Sequence, residues 1–157
     1  HQSYTGWELI LIDRPDLLHG VRRAGWDFSR LDERVRILPA AGSWKDALDA
    51  AVQSARGEFI IHLPEGSVLA FSALAELFAL IRQRPTTMSV FADFELAANE
   101  NGPYIRCHTH MPEELVEQIS SAFVARRRAA WGGASSKRDD IAHIPNVLAR
   151  HIGSLDA

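Results

Sequence analysis

The chain of 157 residues is long enough for one domain with a sizeable core, and its 46% apolar and 24% charged residues are those of a folded globular protein rather than a disordered or disulfide-stapled one. A formal net charge of -3, with acids and bases interspersed, leaves no broad basic field for a phosphate backbone, so nucleic acid is not an expected partner. One cysteine, Cys107, cannot close an internal disulfide, which fits a reducing, cytoplasmic setting, and no apolar run reaches the roughly 18 to 20 residues of a membrane helix.

The chain opens at His1 rather than Met, and Gln2–Gly6 runs straight into Trp7-Glu8-Leu9-Ile10-Leu11-Ile12, so sequence is expected upstream. That nearly continuous apolar run reads as a buried strand, stopped by the turn residues Asp13-Arg14-Pro15-Asp16. Leu17 to Leu31 contains a helical stretch, and Arg34 to Leu38 alternates charged and apolar residues as a short strand before Pro39. Ser43 is a good N-cap for a helix over Trp44 to Arg56, where Ala47, Leu48, Ala51, Val52 and Ala55 share a face and Gly57 is the expected stop. Glu58 to Leu63 follows as a buried strand, broken by Pro64-Glu65-Gly66-Ser67.

A further helix is expected over Ser72 to Arg82, with Leu74, Leu77, Phe78 and Ile81 on one side, and a strand over Met88 to Ala92. Asn99-Glu100-Asn101-Gly102 is a turn between Phe94–Leu96 and Pro103–Cys107, which predicts a small hairpin excursion in the C-terminal half. Pro112 to Ile119 reads as a helix, Ala122 to Val124 as a strand, Arg126 to Trp131 as a helix ended by Gly132-Gly133, and Ile144 to Ala149 as a last extended segment. Strands alternating with amphipathic helices predict an α/β fold with a mostly parallel sheet and helices on both faces.

Four stretches, in order, resemble the family 2 glycosyltransferases, inverting enzymes that use nucleotide-diphosphate sugars. Gln2 to Asp13 is similar to the family's "Q-T-Y-x-x-W-E-L-I-I-V-D-D", and Ala50 to Leu69 to its "A-x-x-x-A-x-G-E-F-I-x-x-L-D-x-D-D-x-L". Phe91 to Tyr104 resembles "Y-S-D-x-D-x-L-x-x-x-G-x-Y", and Ile141 to His151 the closing "I-x-H-I-P-x-V-L-Y-H". The resemblance implies a nucleotide-diphospho-sugar transferase-like domain spanning residues 1–157 and lacking the family's first strand and helix. It also implies a nucleotide-sugar donor with magnesium or manganese, a glycan acceptor, and further domains in a longer polypeptide devoted to polysaccharide synthesis.

The family's reaction needs a cation to neutralise the leaving diphosphate and a carboxylate base to deprotonate the acceptor hydroxyl. Hard cations take oxygen ligands, which the family supplies as Asp-x-Asp. Here those positions are Pro64, Gly66 and Ser67, and none is a carboxylate. Glu65 between them reads as turn surface, so no cofactor site is evident and no metal ligand is expected. Asp13, Asp93 and Glu95 do match family acids and are the candidate donor-binding residues. Asp13 stands at a strand's carboxyl end, where ligands bind in open α/β sheets, although an Asp there equally caps a turn. No catalytic residue is assigned: the family's stretch of a few dozen residues that ends in the general base is replaced here by Ala134–Asp140, where Asp139 and Asp140 read as a polar connector.

The remaining candidates carry less. His108 and His110 have strand spacing but no third zinc ligand, His62 reads as a core histidine, and Arg126-Arg127-Arg128 fan around a helix rather than forming one face. Trp26, Trp44 and Trp131 are either sugar-stacking platforms or packing. The sequence thus predicts a sugar-transferase-like domain that is degenerate at its catalytic positions, or a non-catalytic binding or scaffold module beside an active domain. Arg14 offers a third possibility, a phosphate clamp in place of the cation.

Overall fold

The Trp7–Ile12 run supplies β1 (Leu9–Asp13), which pairs in parallel with β2 (Val35–Pro39), Leu9 opposite Val35 and Asp13 opposite Pro39. The computed structural model describes residues 2–13, 19–63, 66–97, 104–107, 123–131 and 141–152. They fall into two compact units, residues 6–58 and residues 1–5 with 59–157.

In the 6–58 unit the parallel pair requires a crossover, supplied by α1 (His19–Leu31). Gly25 is the close-approach residue of that helix: a Cβ there would stand 3.0 Å from Leu11 Cδ1 of β1. α2 (Trp44–Ser54) begins at the foreseen N-cap, where Ser43 Oγ accepts from the Asp46 amide at 3.2 Å and Asp46 Oδ2 accepts from the Ser43 amide at 2.9 Å. Its end differs from expectation, because Ala55 turns extended and terminates the helix before Gly57.

The amides released there are taken up by Glu8. Its Oε1 accepts from the Arg56 and Gly57 N–H groups, and its Oε2 accepts from Arg36 Nη2 at 2.8 Å. The same Arg36 nitrogen donates to the Ser54 carbonyl at 2.9 Å. One carboxylate therefore clips the start of β1 to the end of α2 and to β2. Among the described residues of this unit the buried apolar set is small: Val35, Ala47, Ala51, Val52 and Ala55.

The 59–157 unit is built on a six-stranded sheet. β3 (Phe59–Ile61), β7 (Val124–Arg127), β5 (Ser89–Ala97), β8 (Ile141–Ile152) and β4 (Ser67–Leu69) lie in that order, and β6 (Tyr104–Cys107) pairs with β5. Among the described residues only β5 and β8 run parallel; β3–β7, β7–β5, β5–β6 and β8–β4 are antiparallel. The core combines Val90, Ala92 and Phe94 of β5, Ala142, Ile144, Leu148 and Ala149 of β8, Ala125 of β7 and Phe123, with Ala73 and Leu77 from α3 (Ala73–Gln83).

The predicted mostly parallel sheet with helices on both faces is therefore overturned: the sheet is mixed and largely antiparallel, with few helices. The physical reason lies in the second half of the chain. The arginine-rich segment expected to be helical is β7 followed by the short 3-10 turn Arg128–Ala130. Ala125 is fully buried in the core, while Arg127 donates to the Thr87 and Pro85 carbonyls at 3.2 and 2.7 Å and lies over the Phe59 ring. These tertiary contacts outweigh the helical preference of an Ala/Arg stretch. The strand β4 is not foreseen by the sequence, which places Ser67 in a turn and gives Val68 and Leu69 no element. The helix expected over Pro112–Ile119 and the Asn99–Gly102 turn lie outside the described residues. Among the described residues no helix is long and apolar enough to cross a membrane.

β8 is longer than its partner along β5. Ile144 stands opposite Ala92 and Val147 opposite Asp93, so Pro145 and Asn146 bulge from the ladder, and Leu148 does so before Ala149 meets Phe94. Proline, which has no N–H to donate, suits such a place. Asn146 Nδ2 donates to Glu76 Oε2 at 2.7 Å, and Ser72 Oγ donates to Glu76 Oε1 at 2.7 Å, which ties the bulge to α3.

Burial opposes ionisation of Glu8, but the amides of Arg56 and Gly57 and the Arg36 guanidinium outweigh it and hold its pKa below the ordinary value. A depressed folded pKa contributes stability that is present above the unfolded value of about 4.3 and is lost as pH falls through the folded value. Glu8→Ala should lower the unfolding free energy in urea by about 1–3 kcal/mol near neutral pH, and the gap between the two proteins should narrow below about pH 4.3.

Candidate functional site

Asp93 and Glu95 are two residues apart on β5 and so project from the same face of the sheet. That face is opposite to the one carrying Val90, Ala92 and Phe94 into the core. Asp93 is only 2% exposed, an expensive place for a carboxylate unless it is paired. Its Oδ1 meets Nε2 of His143 on β8 at 3.0 Å, and the His143 ring stacks on Phe91, centroids 4.8 Å apart. Glu95 is met from the same neighbouring strand: Arg150 Nε and Nη2 both approach Glu95 Oε2, at 3.0 and 2.8 Å. Two acids on β5 are thus each engaged by a basic side chain of β8.

Asp13, the third candidate, is the last residue of β1 and stands opposite Pro39, its carbonyl accepting from the Ala40 amide at 3.0 Å. It belongs to the 6–58 unit, whereas Asp93 and Glu95 belong to the other. The structure brings the latter two together on one strand.

The positions corresponding to the family's cation motif are described from Gly66 onward. Gly66 adopts φ +80°, and a Cβ on it would lie 2.5 Å from the Ile152 carbonyl oxygen, so only glycine fits where β8 crosses the turn. The Ile152 amide donates to the Gly66 carbonyl at 3.1 Å. Ser67 then stands directly opposite His151, its Oγ 3.1 Å from His151 Nδ1. His151 is buried. These residues make a packed strand pairing of hydroxyl, imidazole and backbone where a cation would need carboxylate oxygens. Among the described residues no three His, Cys, Asp or Glu side chains gather as a metal site.

Sequence reasoning singled out Asp93 and Glu95 but missed their partners His143 and Arg150, and it missed His151. All three stood inside the Ile141–His151 stretch. Only the register between β5 and β8, with its bulges, reveals which acid each base meets. His62 is half-buried just beyond β3, and burial pushes its pKa down. Trp26 and Trp44 are exposed, in α1 and α2. Pro64, Glu65, Arg14, His108, His110, Asp139 and Asp140 lie outside the described residues.

No family model matches the chain. A protein described as uncharacterized protein y4gI, from Sinorhizobium fredii (strain NBRC 101917 / NGR234), is 31% identical over 111 residues, which is 69% of this chain and 12% of that protein. The chain is thus similar to a small part of a much longer polypeptide.

Two predictions separate structure from surface charge. Asp93→Ala should cost about 1–3 kcal/mol in denaturant unfolding, since it leaves His143 without its buried partner, while Glu95→Gln, at a more exposed pair, should cost less than about 1 kcal/mol. Gly66→Ala should destabilise by more than about 1 kcal/mol, because it combines a positive φ with a backbone collision, and a thermal melt reads this as a lowered midpoint.

Proposed function

We propose that this chain is a glycosyltransferase-like domain of a larger protein that transfers a sugar from a nucleotide-diphosphate donor to a glycan, and that this segment does not itself perform the transfer. The observation that carries the second half is the engagement of Asp93 and Glu95 by His143 and Arg150 within the sheet, which commits both matched acids to strand–strand contacts. What supports the first half is the ordered likeness of four sequence stretches to family 2 glycosyltransferases. The Asp-x-Asp positions are Pro64, Gly66 and Ser67, and the two described ones are occupied in packing against β8.

A second reading, a binding or scaffold module beside an active domain, is favoured by the relative of which this chain spans only 12%. In that arrangement the catalytic carboxylates and the cation belong to another part of the polypeptide. The sugar nucleotide and the glycan are partners of the whole protein, and a cytoplasmic location goes with the single cysteine of this chain.

Calorimetric titration with UDP and other nucleoside diphosphates, with and without manganese, tests the proposal. The expected result is no manganese-dependent binding. Manganese-dependent binding that weakens in Asp13→Ala would show a working donor pocket and overturn the assignment of this segment as catalytically degenerate.

A further inference from the structure

The helix α3 begins with an incomplete cap. The first amides of any helix lack intrahelical acceptors and are ordinarily met by the N-cap side chain. Ser72 occupies that position with αR dihedrals, φ -89° and ψ -5°, and its side chain makes no capping bond. Its hydroxyl is turned to Glu76 Oε1 instead.

The acceptor comes from far away in sequence. Gln2 Oε1 takes the Leu74 N–H at 3.3 Å, while Gln2 Nε2 donates to the Ala70 carbonyl at 2.8 Å, so one side-chain amide bridges the turn before α3 and its first turn. The contact continues along the chain. The Ser3 amide and hydroxyl both donate to the Phe71 carbonyl, at 3.1 and 3.2 Å. The Tyr4 ring then stacks on Phe78, centroids 4.7 Å apart at 27°, with the Arg82 guanidinium 5.9 Å from the same ring. Ser3 thus meets the turn before α3, and Gln2 and Tyr4 meet the helix about one turn apart, at Leu74 and Phe78.

Residues 1–5 belong to the unit of 59–157, although the chain between them, 6–58, forms the other unit. Its own ends are drawn together by Glu8, which accepts from the amides of Arg56 and Gly57.

We infer that Gln2, Ser3 and Tyr4 act as one strap that supplies the missing cap of α3 and opens as a single event. When it opens, the first turn of α3 loses its cap, so the state of that turn and the freedom of residues 2–4 are one variable.

Hydrogen exchange on the whole chain tests this, with the Leu74 and Ser3 amides as reporters and the β5–β8 amides as the control for folding. Gln2→Ala should speed exchange at Leu74 by about fivefold, the effect of losing a helix cap, and speed Ser3 as well. Tyr4→Ala, which removes the stack on Phe78 and leaves Gln2 in place, should nevertheless speed Leu74 if the three residues release together. Unchanged Leu74 exchange in Gln2→Ala, or in Tyr4→Ala, overturns the strap.

Discussion

The 59–157 unit depends on the parallel pairing of β5 with β8. Among the described residues it is the one parallel pair in that sheet; β4, β6 and β7 each attach to one of its two members, and β3 joins through β7. One face of the pair supplies most of the core, from Val90 and Phe94 to Ile144 and Leu148. The other carries the two acid–base contacts. Because side chains alternate along a strand, a change of register would move both sets at once. The bulged residues of β8 are where that register is adjusted, and the bulge is itself anchored to α3 through Asn146 and Glu76. Packing and polar pairing are in this way two consequences of a single alignment.

Side chains distant in sequence complete the helix ends in both units. Glu8 receives the amides just after α2, and Gln2 receives one at the start of α3. In each case a residue near the chain's beginning performs what a local cap ordinarily does. Such contacts pin one segment's path to another more specifically than apolar burial, because a hydrogen bond has direction and an apolar contact has little.

Local features were the legible ones. Ser43 with Asp46 announced the start of α2, the apolar run before Asp13 announced β1, and Leu77 of the periodic Ser72–Arg82 stretch is buried as an α3 core residue. Strand direction was not legible, since alternation of strands and helices suggests parallel pairing while the direction is decided by which strands meet. Arg126 to Trp131 illustrates the limit: its composition favours a helix, but the Thr87 and Pro85 carbonyls and the Phe59 ring, about 40 and 70 residues away in sequence, draw Arg127 into a strand. The candidate acids Asp93 and Glu95 were visible as residues; their commitment to His143 and Arg150 depends on a register that no local pattern encodes.

The discontinuous organisation has a consequence for the order in which the chain assembles during synthesis. All of the 6–58 unit emerges before any partner of Gln2 or Ser3 exists. At roughly 5–20 residues per second, Ala70 and Leu74 follow Gln2 by several seconds, an interval long compared with helix or hairpin formation. Residues 6–58 therefore have time to organise around β1, β2 and Glu8 before the partners of Gln2 and Ser3 exist, and the sheet of the other unit waits until β8 reaches β5.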